Sequence, residues 1–268
     1  MNPDSQAKKS RGPTSGRWWR WSIDLGTTLL LWTYFTIGFL IFFAPLYLFS
    51  AALPGRRMAI WQTLNHFFYR SFFQLCRLLM PRQRWQIDPM VKAVRASVIV
   101  CNHLSYIDPI LLISLFARHT TIVKARLFRI PIFGLMLRLT GYIPSAADRQ
   151  LAGVMVARME TLCADLAGGA NLIVFPEGTR SRDGAIGPFN AGAFKIARRC
   201  RLPIQVILIR NSQRLFTPGR FLFNTLSANT ISVVAVGRIM PDYDDPAFSL
   251  SRLIHEVRER MVMAAETA

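Results

Sequence analysis

No residue from Leu25 to Leu53 carries a charge, and this constrains the fold more than any other feature. A straight helix of that length spans about 43 Å, against about 30 Å for a bilayer's hydrocarbon core. Tilt, a kink at Pro45 or a re-entrant hairpin would absorb the excess. The stretch is much too long for the apolar part of a cleaved signal peptide, although "SAALPG" supplies small residues. Trp18, Trp19 and Trp21, with Arg17 and Arg20, form an aromatic and basic girdle suited to a bilayer interface. Basic residues flank both ends: Lys8, Lys9, Arg11, Arg17 and Arg20 before, Arg56 and Arg57 after. Charge asymmetry therefore does not orient the segment, and both ends can lie on the cytoplasmic side.

Four regions follow. Residues 1–22 are expected to form a basic tail, disordered over 1–17, with the interfacial aromatics at its end. Residues 23–55 are the membrane segment. Residues 56–84 carry apolar side chains at helical spacing (Trp61, Leu64, Phe68, Phe72, Leu75, Leu79) and read as an amphipathic interfacial helix or a helix packed on the domain. Residues 85–268 alternate short apolar runs with helical stretches. Strands are expected at 97–101, 120–123, 171–175, 203–209 and 230–236. Helices are expected at 109–117, 126–139, 149–167, 189–200 and 249–264. That alternation predicts an α/β domain with a mixed, largely parallel sheet flanked by helices.

The formal net charge of +18 directs the chain to polyanions, and the apolar segment selects an anionic membrane surface over nucleic acid. Cys76, Cys101, Cys163 and Cys200 form no C-x-x-C pair and are expected to be reduced, as suits a cytoplasmic domain.

Two apolar runs end in unusual residues. In "SVIVCNHLSYIDPILL", residues 97–112, the run stops at Asn102-His103, and Asp108 follows the histidine by five positions. As a plain helix start, Asp108 would be the N-cap and Pro109 the first helical residue. On one continuous helix, residues five apart point about 140° away from each other. A turn between strand and helix instead lets Asp108 fold back on His103. An imidazole oriented by a carboxylate can take a proton from a hydroxyl that the substrate supplies. In "NLIVFPEGTRSRDG", residues 171–184, a second run ends at Phe175-Pro176-Glu177-Gly178-Thr179-Arg180. Gly178 permits close backbone approach, and Arg180 suits a phosphate. His66, His119 and His255 are expected to be non-catalytic, His119 as a cation at a helix C-terminus.

"NHLSYID" and "FPEGTR" resemble the paired N-H-x-x-x-x-D and F-P-E-G-T-R motifs of the glycerolipid (1-acyl-sn-glycerol-3-phosphate) acyltransferases. The similarity continues through "VKARLFRIPIFG" (123–134), "PFNAGAFKIA" (188–197) and "LPIQVILI" (202–209), and covers roughly residues 85–240. The resemblance implies that His103 is a general base on a lysolipid hydroxyl, held by Asp108. It implies that Glu177, Gly178, Thr179 and Arg180 bind the acceptor headgroup, with Lys124 adding charge. Acyl-CoA or acyl-carrier protein would be the donor, with no cofactor and no metal. One block departs from the family pattern G-x-I-F-I-D-R. In "GYIPSAADR" (141–149), Gly141 and Ile143 fit, but Asp148 and Arg149 come two positions late. Arg149 either reaches the phosphate through a longer loop or starts the next helix. The resemblance implies lysophosphatidate as the acceptor, giving phosphatidate; lyso-ornithine lipid or another lysophospholipid is the alternative that the departure leaves open. A non-catalytic, basic, membrane-tethered binding protein is the rival of another class. A hydrolase would want a G-x-S-x-G elbow, which the sequence lacks.

Overall fold

The computed structural model describes residues 15–145, 151–181 and 183–267. The basic tail up to residue 14 and Arg149 lie outside the described residues.

The uncharged stretch is helical throughout. Helix α1 (Ser15–Thr33) runs into a π-helical segment, Tyr34–Phe43, and then into α2 (Ala44–Ala51). Pro45 lies in the first turn of α2, where a missing N–H costs least. The wider winding reaches that point, since Ala44 N–H donates to Phe39 O, five residues back. Trp18–Ala51 is thus one apolar rod, long enough by length and composition to cross a membrane, with 11% of its most apolar window buried. The chain then turns through Pro54–Arg56 and returns as α3 (Arg57–Leu79). The two arms meet along an aromatic seam. The Phe68 ring lies 5.2 Å from Phe35, 5.4 Å from Phe39 and 5.0 Å from Phe43, and Tyr47 lies 4.7 Å from Trp61. Tyr34 Oη and Ser71 Oγ share a 2.5 Å hydrogen bond across the seam.

The other side of α3 packs on the α/β domain. Phe72, Phe73 and Cys76 share a core with Leu111, Leu112, Ile113 and Phe116. Nearer its start, Gln62 Nε2 donates to Thr140 O at 3.1 Å, and His66 Nδ1 lies 3.2 Å from Ile113 O. The helical hairpin is mounted on the domain along most of the length of α3.

The domain follows as β1 (Gln83–Ile87), α4 (Pro89–Ala93), β2 (Val98–Cys101), α5 (Asp108–Ile113), β3 (His119–Lys124), α6 (Phe133–Leu139), β4 (Ile143–Ser145), α7 (Ala152–Ala167), β5 (Asn171–Val174), α8 (Gly192–Cys200), β6 (Ile204–Arg210), α9 (Ser212–Leu215), β7 (Asn229–Ile239) and α10 (Leu250–Glu266). One sheet runs in the order β1-β7-β6-β2-β5-β3-β4. Every pairing is parallel except β6 with β7. The expected α/β class with a mixed, largely parallel sheet is therefore present. Alternation along the strands feeds two cores. Ile99, Cys101, Ile173, Ile207 and Ile209 face the α3 and α5 side, while Val98, Val100, Leu172, Val174, Val206 and Leu208 face α7, α8 and α10.

Three expectations need correction. The single helix over 126–139 is instead a 3-10 turn, Ala125–Arg129, then a break, then α6. Pro131 has no N–H to donate and pushes Ile130 into an extended conformation, so a continuous helix cannot pass. Cys163 and Cys200 are not free thiols but form a disulfide between α7 and α8, with Cα atoms 4.9 Å apart. They stand 37 residues apart in sequence and meet only because those helices pack together. Finally, His119 does not end a helix. It opens β3, fully buried, between Phe116 O (2.8 Å) and Tyr142 Oη (2.8 Å). Burial lowers its pKa to about 4, so it is neutral at pH 7.

Candidate active site

The site grows from the carboxyl end of β2. Asn102 closes the strand by imitating a peptide unit: its Nδ2 donates to Ile209 O (2.9 Å), and Ile209 N donates to its Oδ1 (2.8 Å). This pair of hydrogen bonds holds β2 to β6 while the chain leaves the sheet at His103. The link to α5 is a tight turn, and Asp108 folds back into it. Its Oδ2 accepts from Leu104 N and Ser105 N, both at 2.6 Å, and lies 3.2 Å from His103 Nδ1. Asp108 is fully buried, whereas the His103 side chain is 17% exposed. A carboxylate can only accept, so it fixes the proton on Nδ1 and leaves Nε2 to take another. The Phe175 ring lies 4.5 Å from the imidazole.

Strand register brings the second motif to the same level. Val98 pairs with Leu172, and the same offset places His103 beside Glu177. His103 N donates to Glu177 Oε1 at 3.1 Å, and Gly187 N donates to Oε2 at 3.1 Å. Glu177 thus braces both loops with its two carboxylate oxygens, and burial raises its pKa. Ser181 N donates to His103 O at 2.8 Å, closing the loop onto the histidine. Gly178 has φ +70, and a Cβ there would stand 3.1 Å from Asn190 Nδ2. The Arg180 guanidinium lies 3.3 Å from the centre of the Tyr106 ring, and its buried Nη1 has no hydrogen-bond partner among the described residues. Thr179 is exposed on the same loop. One strand further, His119 pairs with Asn171, an offset that puts exposed Lys124 level with Pro176.

The structure therefore gathers His103, Asp108, Glu177, Gly178, Thr179 and Arg180 at one edge of the sheet and puts Lys124 at the same level. Sequence reasoning missed Tyr106 and Gly187, and it named Asn102 and Phe175 within the motifs without giving either a role. It also missed a strap between β6 and β7. Ser105 Oγ donates to Phe216 O at 2.7 Å. Further along the strap, Phe223 N donates to Thr28 Oγ1 (2.9 Å) and Thr225 N to Asp24 Oδ1 (2.8 Å). The apolar rod is thereby tied to the turn that carries the His–Asp pair. Asp24, next to the uncharged stretch, was the available signal: a carboxylate there needs a partner.

A family model described as Acyltransferase matches residues 86–210, the segment that contains both motifs. A 1-acyl-sn-glycerol-3-phosphate acyltransferase of Helicobacter pylori is 32% identical over 171 residues, covering 62% of this chain and 67% of that protein. The chain belongs to the acyltransferase family. A chloroplastic 1-acyl-sn-glycerol-3-phosphate acyltransferase of Brassica napus is 34% identical over 123 residues, 46% of this chain and 35% of that one. This member thus spans about a third of the length of such plant relatives. Its fold matches the crystal structure of the 1-acyl-sn-glycerophosphate (LPA) acyltransferase PlsC from Thermotoga maritima. The TM-score is 0.70 at 22% identity, over 92% of this chain and 97% of that one.

Proposed function

We propose that the protein transfers an acyl group from acyl-CoA or acyl-carrier protein to the free hydroxyl of a lysolipid, 1-acyl-glycerol-3-phosphate, giving phosphatidate. The observation that carries this reading is the His103–Asp108 pair, with a buried carboxylate on Nδ1 and the imidazole partly open. Nε2 removes the acceptor's hydroxyl proton as that oxygen attacks the thioester carbonyl. Collapse of the tetrahedral intermediate breaks the C–S bond, and the imidazolium returns its proton to the departing sulfur. The Asp108 carboxylate, on Nδ1, stabilises the imidazolium. No protein nucleophile takes part. Cys101, the nearest thiol in sequence, is fully buried, and its pKa is pushed well above the ordinary value, chiefly by burial.

Arg180, with a buried donor to spare, is the phosphate ligand on this reading, helped by Lys124 and Arg149. Gly178 and Thr179 shape that side. Glu177 serves by bracing, since an anion does not attract a phosphate. The apolar rod keeps the site at the membrane where the lysolipid resides, and the basic excess favours an anionic leaflet. We place the domain on the cytoplasmic face, where both donors are made. The same chemistry on another lysolipid is favoured by one feature, the two-position displacement of Arg149 in "GYIPSAADR".

A panel of detergent-solubilised reactions tests the reading. Each pairs one lysolipid with acyl-CoA or acyl-carrier protein, and product is read by mass. Phosphatidate as the main product supports the proposal. Transfer to a phosphate-free acceptor alone overturns the acceptor assignment and keeps the His103–Asp108 chemistry. In a working enzyme, Arg180→Gln is expected to raise KM for the phosphate acceptor about tenfold, from the loss of a charge-assisted hydrogen bond.

A further inference from the structure

The break between β3 and α6 leaves an apolar knuckle in solvent. Ile130, Ile132, Phe133 and Leu135 are all exposed, and Ile132 is 78% exposed. Ile132 also has φ +63 and ψ −58, and Phe133 N donates to Pro131 O at 2.6 Å across it. This is the strained, positive-φ form of the γ-turn, an outlier for a β-branched residue. The chain keeps a branched apolar side chain at the tip of a strained turn, where glycine would fit better, and leaves most of it exposed. Strain of this kind is retained at functional positions. The knuckle follows β3 at the edge where His103 and Glu177 lie. Lys124, which leads into it, is two strand spacings from His103's strand, about 10 Å. Arg126 and Arg138 flank it and are exposed.

We propose that the Ile130–Leu135 knuckle inserts into an anionic phospholipid surface and turns the active-site edge towards it. The occupant is a bilayer because apolar tips flanked by arginines match acyl chains bordered by anionic headgroups. This contact is separate from the apolar rod and adds a second point of attachment, which orients the domain. The inference rests on the acyltransferase reading only for its purpose, to let a lysolipid pass sideways from the leaflet into the site.

The test uses the full chain with a polarity-sensitive fluorophore at Ile132→Cys, or at Glu256→Cys on α10, which packs on the other face of the sheet. Vesicles of phosphatidylcholine are compared with vesicles that also contain phosphatidylglycerol. The expected result is a blue shift and a several-fold loss of iodide quenching at position 132 but not at 256. The effect is larger with phosphatidylglycerol and smaller when Arg126→Gln and Arg138→Gln are combined. Unchanged quenching at 132 in protein that floats with the vesicles would overturn the proposal. So would a shift without lipid that grows with protein concentration, which marks a second copy, or a shift that acyl-carrier protein alone produces. An unlabelled Ile132→Gly chain separates insertion from folding: its Tm is expected to hold or rise while turnover of vesicle-embedded acceptor falls several-fold. Equal turnover on vesicles would count against insertion. Fluorescence needs no turnover, so protection in a chain that transfers nothing sinks the proposed function alone, and activity without protection sinks the knuckle alone.

Discussion

At the scale of single residues, Asp108 sets the chemistry of its neighbour by geometry. One oxygen gathers two backbone amides and the imidazole. Asp108→Asn keeps the shape and an acceptor but loses the charge that stabilises an imidazolium. Its kcat is expected to fall about 10³-fold or more with Tm nearly unchanged, measured as thiol release from acyl-CoA beside a thermal melt. His119 contributes to the pH dependence of stability. Its folded pKa of about 4 lies below the ordinary 6.5. The neutral form is thus favoured in the fold, with that contribution complete above pH 6.5 and lost as pH falls towards 4. It amounts to a few kcal/mol, from about 1.4 per pKa unit. Denaturant melts across that window should show a steeper acid decline in the native chain than in His119→Gln. The pair itself was legible because a histidine and a carboxylate bracketed the turn between an apolar run and an Asp-Pro helix start. Tyr106 was not legible, since an aromatic in a loop carries no mark of the arginine that later stacks on it.

At the scale of elements, strands buried on both faces were readable as unbroken apolar runs, and β2, β5 and β6 lie where those runs lie. The edge strands were not. β1 reads "QRWQI" with polar residues on its open side, and β4 has three residues. The break before α6 was written in Pro131 but was outweighed by the apolar periodicity on either side. Gly134 confirms how tight that break is: a Cβ there would stand 2.1 Å from Phe128 O. Gly134→Ala must therefore move backbone, and is expected to cost about 1–3 kcal/mol in chemical denaturation. The strap between β6 and β7 offers a different test. Thr28→Val would leave Phe223 N–H buried and unpaired, costing about 1–3 kcal/mol. Because the strap also holds Ser105, the same change is expected to lower kcat more than it raises KM, with Thr28→Ser restoring both.

At the scale of the whole molecule, a helical hairpin with an apolar rod packs on a seven-stranded sheet, and the strap between β6 and β7 ties that rod to the turn that carries His103 and Asp108. The length of the apolar stretch was plain in the sequence. Its return as α3, packed between the first arm and the domain, was not, because an amphipathic helix looks the same whether its apolar face meets lipid or protein. The disulfide was hidden for a similar reason, since pairing across 37 residues depends on how α7 meets α8. Closing a loop of that length contributes about 2–4 kcal/mol. On the cytoplasmic face proposed above, the cell's reductants are expected to open this disulfide. Rapid acid quenching followed by thiol labelling is expected to find Cys163 and Cys200 modified in intact cells and protected only after oxidation. Protection without added oxidant would move the domain to an oxidising compartment.

Direct transfer with His103 as the base is tested by following thiol release from acyl-CoA on the millisecond scale, with and without lysophosphatidate, in the native chain and in His103→Ala. Direct transfer requires release only when the acceptor is present, no burst on mixing with donor alone, and background rates in the variant. A burst equal to the enzyme concentration without acceptor, or undiminished release in His103→Ala, would contradict it.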